Sequence, residues 1–437
     1  MQAFKDNITP QERRTFILHL SYSFLEGIIL GVLALNEFVF IKSLKGSNYQ
    51  LGFLFQFSMV VFIFLVFINE FIKRSSDKKK MLIYTGLLTR GPLALMFFFP
   101  KNTVSLYSDS VYHYLFLGIF FIYYFGNTII YPLINLFLKN QYAHEKFGKL
   151  YSYATSLNKV VMMVATFFYG LLLDLSPHAY TFVFPVVCIL GIVSVFLLSR
   201  IDYLEPGYQK FKSGFRQSVK NSIATMSSIL KTNKPYQHFE IGFMFYGFSF
   251  MITVTVITIF FERALHLNYS SVAFYKNAYN IIAIILLPYT GKLLGRIDPR
   301  KFAVLTFSSL LLYIFCIMLT EHISFHFILF GLEIYPMLLT GYLFYGIFAA
   351  TMALLWFIGS AYFCKPEEAG DYQSVHLSLT AVRALFAPLL GVLFYELIGF
   401  TGTFSLAIVS LAISVAIMYW SYKREQMLKV ADTSLTP

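Results

Sequence analysis

The chain alternates between long apolar stretches and short polar ones. Twelve stretches of roughly 20 apolar residues stand between clusters of charged or turn residues, and a helix needs this length to cross the hydrocarbon core of a bilayer. Barrel strands would instead alternate in polarity over about ten residues. The pattern therefore predicts an all-α polytopic membrane protein with twelve transmembrane helices. The predicted spans are Phe16–Phe40, Tyr49–Ile72, Met81–Phe99, Val111–Leu138, Leu150–Leu173, Ala179–Ser199, Gln237–Phe261, Ser271–Leu294, Phe302–Thr320, one within Phe327–Phe363, Tyr372–Leu397 and Thr401–Tyr422.

The longest polar stretch, Arg200–Tyr236, follows the sixth predicted helix. It divides the chain into an N-terminal six-helix bundle at residues 1–199, a cytoplasmic linker loop at residues 200–236 and a C-terminal six-helix bundle at residues 237–437. The loop after the second helix of each half carries a basic cluster, which indicates that the halves repeat one plan. The clusters are Lys73, Arg74, Lys78, Lys79 and Lys80 in the first half and Lys292, Arg296, Arg300 and Lys301 in the second.

The composition supports a membrane protein and counts against a soluble enzyme. Hydrophobic residues make up 57% and charged residues 13% of the chain, whereas soluble domains carry about 25% charged residues. The nine His are scattered, so no constellation for an intramembrane transferase is visible. Cys188, Cys316 and Cys364 have neither metal-ligand spacing nor the spacing of a disulfide framework. We therefore expect no enzyme activity, no cofactor and no bound metal.

The net charge of +12 is a topology signal. With the N-terminus in the cytoplasm, 26 of the 34 Lys and Arg residues fall in cytoplasmic segments, four fall outside and four lie within spans. Cytoplasmic loops hold such an excess of positive charge, so the pattern predicts that both termini are cytoplasmic. The positive residues are spread over seven juxtamembrane segments rather than gathered on one solvated face, which counts against a nucleic-acid partner.

The arrangement resembles the major facilitator superfamily, whose members have two six-helix bundles joined by a cytoplasmic loop. The signature of that family, Gly-x-Leu-x-Asp-Arg-x-Gly-Arg-Lys, lies between helices 2 and 3, with an echo between helices 8 and 9. Gly291, Leu293, Arg296, Arg300 and Lys301 carry the echo here, while Gly295 replaces its acid and Asp298 its second glycine. In the first copy, Glu70 and Arg74 replace the glycine and the aspartate, and Lys78 and Lys79 keep the basic end.

Such loops are expected to act as a cytoplasmic gate, because basic side chains are attracted to helix C-termini and to nearby carboxylates. The alternative is that these residues only supply orientation charge. The predicted gate residues are Lys78 and Lys79 with Glu367, Glu368 and Asp371 as partners, and Arg296, Arg300 and Lys301 with Glu145 as partner.

Four charged side chains lie near the middle of predicted spans: Glu26 in helix 1, Arg90 in helix 3, Lys159 in helix 5 and Arg383 in helix 11. A charge at that depth costs at least about 2.5 kcal/mol, so it usually faces a cavity. Three cations against one anion favour an anionic or polar solute. One alternative is a permanent ion pair of Glu26 with Arg383 or Lys159, and Arg90 has the further alternative of reaching the cytoplasmic side along helix 3.

Polar residues form stripes on three of these helices, because their spacing matches 3.6 residues per turn. The resemblance implies that helices 1, 5 and 11 line or border a central solute cavity. The stripes are His19, Ser23, Glu26 and Glu37; Ser152, Thr155, Ser156 and Lys159, with Asn158 beside them; and Gln373, His376, Thr380 and Arg383. The predicted solute-binding residues are Glu26, Arg90, Asn158, Lys159, His376, Thr380 and Arg383, and the predicted proton carriers are Glu26 and His376.

The sequence thus predicts a secondary active transporter that moves a small anionic or polar solute by alternating access. Proton coupling is a hypothesis that rests on Glu26 and His376. The alternatives are a lipid or drug exporter of the same fold, or a non-transporting membrane receptor. We expect a multi-pass monomer in the cell membrane, the inner membrane in a bacterium, with the solute, protons and membrane lipid as partners.

Overall fold

The computed structural model describes residues 8–75, 77–101, 110–203, 214–365 and 368–434. The chain forms two compact units, Met1–Phe215 and Arg216–Pro437. The division between them falls inside the predicted linker, and the predicted bundle limits at residues 199 and 237 stay a prediction.

The first unit is built from helices whose starts are marked by polar caps. Ser47, Asp77 and Ser110 each accept a hydrogen bond from the first turn of the helix that follows, as N-cap residues do. Short 3-10 segments at Val61–Phe64 and Gly91–Phe98 interrupt or extend the helices. The helices are α1 (Pro10–Leu33), α2 (Asn36–Lys42), α3 (Asn48–Val60), α4 (Leu65–Arg74), α5 (Lys78–Arg90), α6 (Val111–Gln141), α7 (His144–Leu175) and α8 (Tyr180–Ser199).

One carboxylate caps two helices at the start of this unit. Thr9 and Glu12 form a capping box, with Pro10 in the first turn of α1. The Glu12 carboxylate is 5% exposed, and it also accepts hydrogen bonds from the main-chain nitrogen of Ala143 at 3.1 Å and from Lys146 Nζ at 3.3 Å. Since Ala143 is the N-cap residue of α7, Glu12 ties the first turns of α1 and α7 together.

Helices α1 and α7 approach closely because α1 presents glycine where they meet. A Cβ at Gly27 would lie 2.7 Å from the main-chain oxygen of Asn158, and one at Gly31 would lie 2.6 Å from that of Met162. This approach lets the Asn158 side chain donate a hydrogen bond to the main-chain oxygen of Ser23 at 3.0 Å. Asn158, which lies beside the predicted stripe of helix 5, is thereby brought against the predicted stripe of helix 1 at Ser23.

The second unit packs its long helices through small residues and hydroxyls. Ser249 on α10 donates to the main-chain oxygen of Ala407 at 2.9 Å, and Ser414 donates to that of Gly242 at 2.7 Å. The helices are α9 (Phe215–Thr232), α10 (Lys234–Arg263), α11 (Tyr269–Leu294), α12 (Pro299–His322), α13 (Pro336–Ile358), α14 (Ala369–Ala384) and α15 (Ala387–Ser434), the last of which is broken at Gly399, where φ is 71°.

A short antiparallel hairpin precedes α13, formed by β1 (Phe327–Leu329) and β2 (Leu332–Ile334). Its turn places Phe330 and Gly331 at positive φ values of 52° and 78°. The chain is mostly helical, as predicted, but the hairpin departs from an all-α chain. The long tenth apolar stretch concealed it, because three-residue strands are too short to show a periodicity.

The hairpin is fastened to α11 by one side chain. The Tyr275 hydroxyl donates to the main-chain oxygen of Glu333 at 3.1 Å and accepts from the main-chain nitrogen of Tyr335 at 2.8 Å. A single phenol therefore links α11 to the end of the hairpin, at Glu333 within β2 and at Tyr335 directly after it.

Within the described residues, ten helices are long and apolar enough to cross a membrane. The predicted second span is divided among α3, a 3-10 turn and α4, and the predicted last two spans fall within one apolar stretch, Asp371–Leu428. The chain is a multi-pass membrane protein, while the count of twelve and the cytoplasmic termini stay predictions.

Candidate functional site

A buried acid and a buried imidazole meet in the second unit. Nδ1 of His376 on α14 lies 3.1 and 3.2 Å from the two carboxylate oxygens of Glu240 on α10. Both residues are 2% exposed. The rings of Phe243 and Trp356 stand edge-on to the imidazole, with centroids at 4.8 and 4.7 Å. The pair is therefore shielded by aromatic rings, in surroundings where a charge is costly unless it is paired.

Arg383 lies two turns further along α14 and is also 2% exposed. Its Nη1 donates to the main-chain oxygen of Phe243 at 2.6 Å, and its Nη2 donates to Thr380 Oγ1 at 3.2 Å. Thr380 Oγ1 in turn donates to the main-chain oxygen of His376 at 3.0 Å. Three of the predicted site residues thus form one connected set on one face of α14, to which α10 adds Glu240.

Two side-chain nitrogen atoms in this set lack a hydrogen-bond partner in the described part of the chain. His376 Nε2 and Arg383 Nε are buried and have no hydrogen-bond partner among the described residues. Buried polar groups are nearly always satisfied, so each unpaired nitrogen calls for an explanation. Arg383 also interacts electrostatically with Glu240. The set is electrically balanced when the imidazole is neutral and carries one net positive charge when it is protonated.

Sequence reasoning missed Glu240 and Trp356. Glu240 lies only three residues inside the predicted span, which begins at Gln237, whereas α10 begins at Lys234 and puts Glu240 nearly two turns inside. Gln373 belongs to the predicted stripe of helix 11. Its side chain donates a hydrogen bond to the main-chain oxygen of Trp356 at 3.1 Å and so helps to hold Trp356 beside the His376 imidazole. The sequence does contain a signal for Glu240: it precedes Phe243 by three residues and Gly247 by seven, and this helical spacing places the three residues on one face.

A second charged pair is buried in the first unit. Glu26 on α1 is 4% exposed and Arg90 on α5 is 1% exposed. Arg90 Nη2 donates to Asn127 Oδ1 at 2.8 Å, Nη1 donates to the main-chain oxygen of Tyr123 at 3.3 Å, and the guanidinium carbon lies 4.1 Å from the centroid of the Tyr123 ring. The alternative that Arg90 reaches the cytoplasmic side is therefore wrong, because α6 holds its side chain inside the unit.

Glu26 and Arg90 interact electrostatically, but Glu26 Oε1 and Arg90 Nε have no hydrogen-bond partner among the described residues. Lys159 is exposed, and no ion pair joins it to Glu26 in the described part of the chain. Asn158 beside it is used in the contact with α1. The structure thus brings Glu26 near Arg90 rather than Lys159. Glu37, predicted on the same face as Glu26, lies on a separate helical segment, because α1 ends at Leu33 and α2 begins at Asn36.

The predicted gate residues of the first cluster lie at the start of α5. Lys78 is 7% exposed; its Nζ donates to the main-chain oxygen of Ser75 at 3.1 Å and lies 5.8 Å from the centroid of the Tyr203 ring. Lys79 is half-buried. Hydrogen bonds from Lys80 lower the pKa of the Asp77 carboxyl, which caps α5. Among their predicted partners, Glu368 and Asp371 are exposed, and Glu367 lies outside the described residues.

The second cluster is organised around Arg300, which is 2% exposed. Its Nη2 lies 2.8 Å from Asp298 Oδ2 and 2.7 Å from Glu425 Oε2, and its Nη1 donates to the main-chain oxygen of Ser421 at 3.2 Å. Arg300 thus has two carboxylate partners inside its own unit. Lys301 Nζ lies 4.3 Å from the centroid of the Tyr422 ring, Arg296 is exposed, and the side chain of Glu145 lies outside the described residues.

Three solved transporter structures share this fold. A mutant of the nucleoside transporter NupG has a TM-score of 0.69 at 12% identity, covering 94% of this chain and 99% of its own. The POT family transporter PepTSo has a TM-score of 0.69 at 10% identity, covering 95% and 98%. A bacterial homolog to the human lysosomal transporter Spinster, inward-facing and occupied, has a TM-score of 0.66 at 13% identity, covering 95% and 97%. Identities this low establish the fold alone.

No curated protein matches the sequence. A sequence model of the Major Facilitator Superfamily matches residues 15–375. This match covers well over half of the chain and confirms the resemblance that the helix pattern and the signature echo indicate. The protein belongs to the major facilitator superfamily.

Proposed function

We propose that the protein is a secondary active transporter that moves a small organic anion together with protons by alternating access. The proposal includes twelve transmembrane helices, cytoplasmic termini and bundles at residues 1–199 and 237–437 joined by the loop at 200–236. It places the chain in the cell membrane, the inner membrane in a bacterium. The observation that carries it is the contact of His376 with Glu240 beside Arg383.

The anion is proposed to bind at the two side-chain nitrogen atoms of α14 that lack a hydrogen-bond partner within the described structure. Arg383 Nε and His376 Nε2 are buried and unpaired among the described residues. A charge-assisted hydrogen bond from a guanidinium to an anion is about twice as strong as a neutral one. Thr380 orients Arg383 through its hydroxyl. An anionic group would therefore satisfy polar atoms that the folded chain leaves unsatisfied.

Coupling follows from the charges of the same set. With a neutral imidazole, the Glu240 carboxylate already balances the Arg383 guanidinium, so an added anion leaves excess negative charge in a buried place. With His376 protonated, the set has one net positive charge. A bound monovalent anion then neutralises that charge. Protonation and anion binding therefore favour each other, and linkage requires that the effect be reciprocal.

The first unit is proposed to contribute a second polar position. Glu26 is the proposed proton carrier there, since it is buried near Arg90 with an unpaired oxygen. Arg90, Asn158 and Lys159 are proposed solute contacts, of which Lys159 is the exposed one. The proposed gate residues are Lys78, Lys79, Glu367, Glu368 and Asp371, together with Arg296, Arg300, Lys301 and Glu145.

The test measures anion binding by the purified full chain at pH 5.5 and pH 7.5, using thermal stabilisation by lactate, succinate and benzoate. We expect binding at least roughly 5-fold tighter at the lower pH, a coupling of about 1 kcal/mol. Glu240→Gln removes the balancing charge, so the set is already positive with a neutral imidazole and binding at pH 7.5 should become as tight as wild-type binding at pH 5.5. His376→Asn keeps the set neutral, so binding should be weak at both pH values.

Two controls complete the design. His326→Asn changes an exposed histidine and should leave the pH dependence as in the wild type. In proteoliposomes with an imposed pH gradient, Glu26→Gln should reduce gradient-driven uptake of the bound anion. Equal pH dependence in wild type, Glu240→Gln and His376→Asn would contradict coupling at this set, and unchanged uptake in Glu26→Gln would contradict its role as a carrier.

A further inference from the structure

An aromatic side chain adjoins the proposed anion position. Tyr246 on α10 is 4% exposed, and the Arg383 guanidinium carbon lies 5.9 Å from the centroid of its ring. The ring stacks on Phe307 of α12, with centroids 4.7 Å apart and planes 5° from parallel. Tyr246 is thus held at a fixed orientation beside the cation.

From Tyr246 a continuous series of ring contacts leads away to α11. Phe348 lies 5.9 Å from Tyr246 and 5.4 Å from Tyr345, measured between centroids. Tyr345 meets Tyr279 edge-on with the centroids 4.7 Å apart, and its ring is tilted by 39° to that of Tyr313 with the centroids 4.5 Å apart. We name these five residues the tyrosine row: Tyr246, Phe348, Tyr345, Tyr279 and Tyr313. Four helices, α10 to α13, contribute to it, so its rings are positioned by the fold of the unit.

The tyrosine row is not completely buried. Tyr279 and Tyr345 are only half-buried. Tyr275, one turn before Tyr279 on α11, shows the contrast, because it is 0% exposed and its hydroxyl both donates and accepts main-chain hydrogen bonds. Structural tyrosines usually satisfy the hydroxyl in this way.

Resting on the proposed anion transport, we infer that the tyrosine row binds the remainder of the solute, and that the solute is an organic anion carrying an aromatic ring. Aromatic rings prefer offset or edge-to-face partners at centroid distances of about 4.5–7 Å, and such pairs contribute about 0.5–1.5 kcal/mol beyond area burial. Tyr279 and Tyr345 are half-buried, so part of the surface of each side chain is left for such a partner. An apolar lining of Leu or Ile would serve a saturated group equally well.

The test compares two acids of equal charge and similar size, 3-phenylpropionate and 3-cyclohexylpropionate, by thermal stabilisation of the purified full chain at pH 5.5. We expect the aromatic acid to bind about 3–10-fold more tightly. Tyr345→Leu and Tyr279→Leu should remove this preference, whereas Tyr345→Phe should keep it. Tyr289→Leu, which changes a 68% exposed tyrosine on the same helix α11, is the matched control and should leave the preference unchanged.

The outcomes separate this inference from the proposed function. Equal affinities for the two acids, with binding still lost in Arg383→Gln, would overturn the aromatic solute and leave anion transport standing. Binding of neither acid would overturn the inference, and it would overturn the proposed function as well if lactate, succinate and benzoate also failed. Unliganded unfolding midpoints show which variants fold, and the wild-type ratio of the two affinities decides the question even if both leucine variants do not.

Discussion

The Arg383 guanidinium occupies the space in which a side chain at Gly247 would stand. Gly247 lies on α10 and Arg383 on α14, so the absence of a Cβ on one helix lets the other bury its cation against the neighbouring backbone. The hydrogen bond from Arg383 Nη1 to the main-chain oxygen of Phe243 depends on the same close approach. The position of the proposed anion contact is therefore fixed by a residue that carries no chemistry itself.

Gly247→Ala should displace the guanidinium and weaken anion binding at least roughly 10-fold. Overpacking of a filled interior costs about 1–3 kcal/mol, partly offset by the better helix propensity of alanine, about 1 kcal/mol. The measurements are anion affinity and the unfolding midpoint. Gly291→Ala is the control, because its Cβ would lie 3.9 Å from Leu354 Cδ1, an ordinary contact. Wild-type affinity in Gly247→Ala would contradict the role given to Arg383.

Arg90→Met should destabilise the first unit by about 3–5 kcal/mol, because it leaves the buried Glu26 carboxylate without its nearby cation. The double variant Glu26→Gln with Arg90→Met should recover most of that loss, since no unbalanced charge remains. Thermal unfolding in one detergent checks both. If the double variant were no more stable than Arg90→Met, the two charges would not be coupled.

Glu12→Ala should lower the free energy of unfolding by about 1–2 kcal/mol, because loss of an N-cap contact costs about this much and Glu12 serves α1 and α7 at once. Gln11→Ala is the neighbouring control. The Gln11 side chain makes an exposed hydrogen bond to Gln141, and such surface changes stay within about 0.5 kcal/mol. Equal effects of the two variants would show that the double cap contributes nothing.

Arg300→Lys should destabilise the second unit by about 1.5–3 kcal/mol. One ammonium group cannot reproduce the fork that reaches Asp298, Glu425 and Ser421 together, and hydrogen bonds to charged groups have about this value. Arg296→Lys in the same loop is the control, because Arg296 is exposed. A stability loss of the same size in both variants would mean that the geometry of the fork is irrelevant.

Periodicity predicts well what lies on one helix. His376, Thr380 and Arg383 share a face because their spacing follows the helical repeat, and the structure joins them through hydrogen bonds. The same reasoning assumed one continuous helix as far as Glu37, whereas α1 ends at Leu33 and α2 begins at Asn36. No feature of the apolar stretch predicts this break.

Contacts between helices were the part that periodicity could not supply. The Glu240 partner of His376 and the Asn127 partner of Arg90 are far away in sequence, so only packing brings them together. The gate hypothesis likewise proposed Glu145 as the partner of the second basic cluster, and this stays a prediction. Asp298, which replaces the second glycine of the signature, supplies a carboxylate beside Arg300 that periodicity did not predict.

The phenol of Tyr275 couples the position of the hairpin to that of α11. Because this hydroxyl fixes α11 to the main chain at Glu333 and Tyr335, a displacement of α11 must carry the end of β2 with it. Phe330 at the hairpin tip is 94% exposed and has no part in the proposed site. A spectroscopic label in place of Phe330 is therefore expected to report a movement of α11 from a position outside the proposed site.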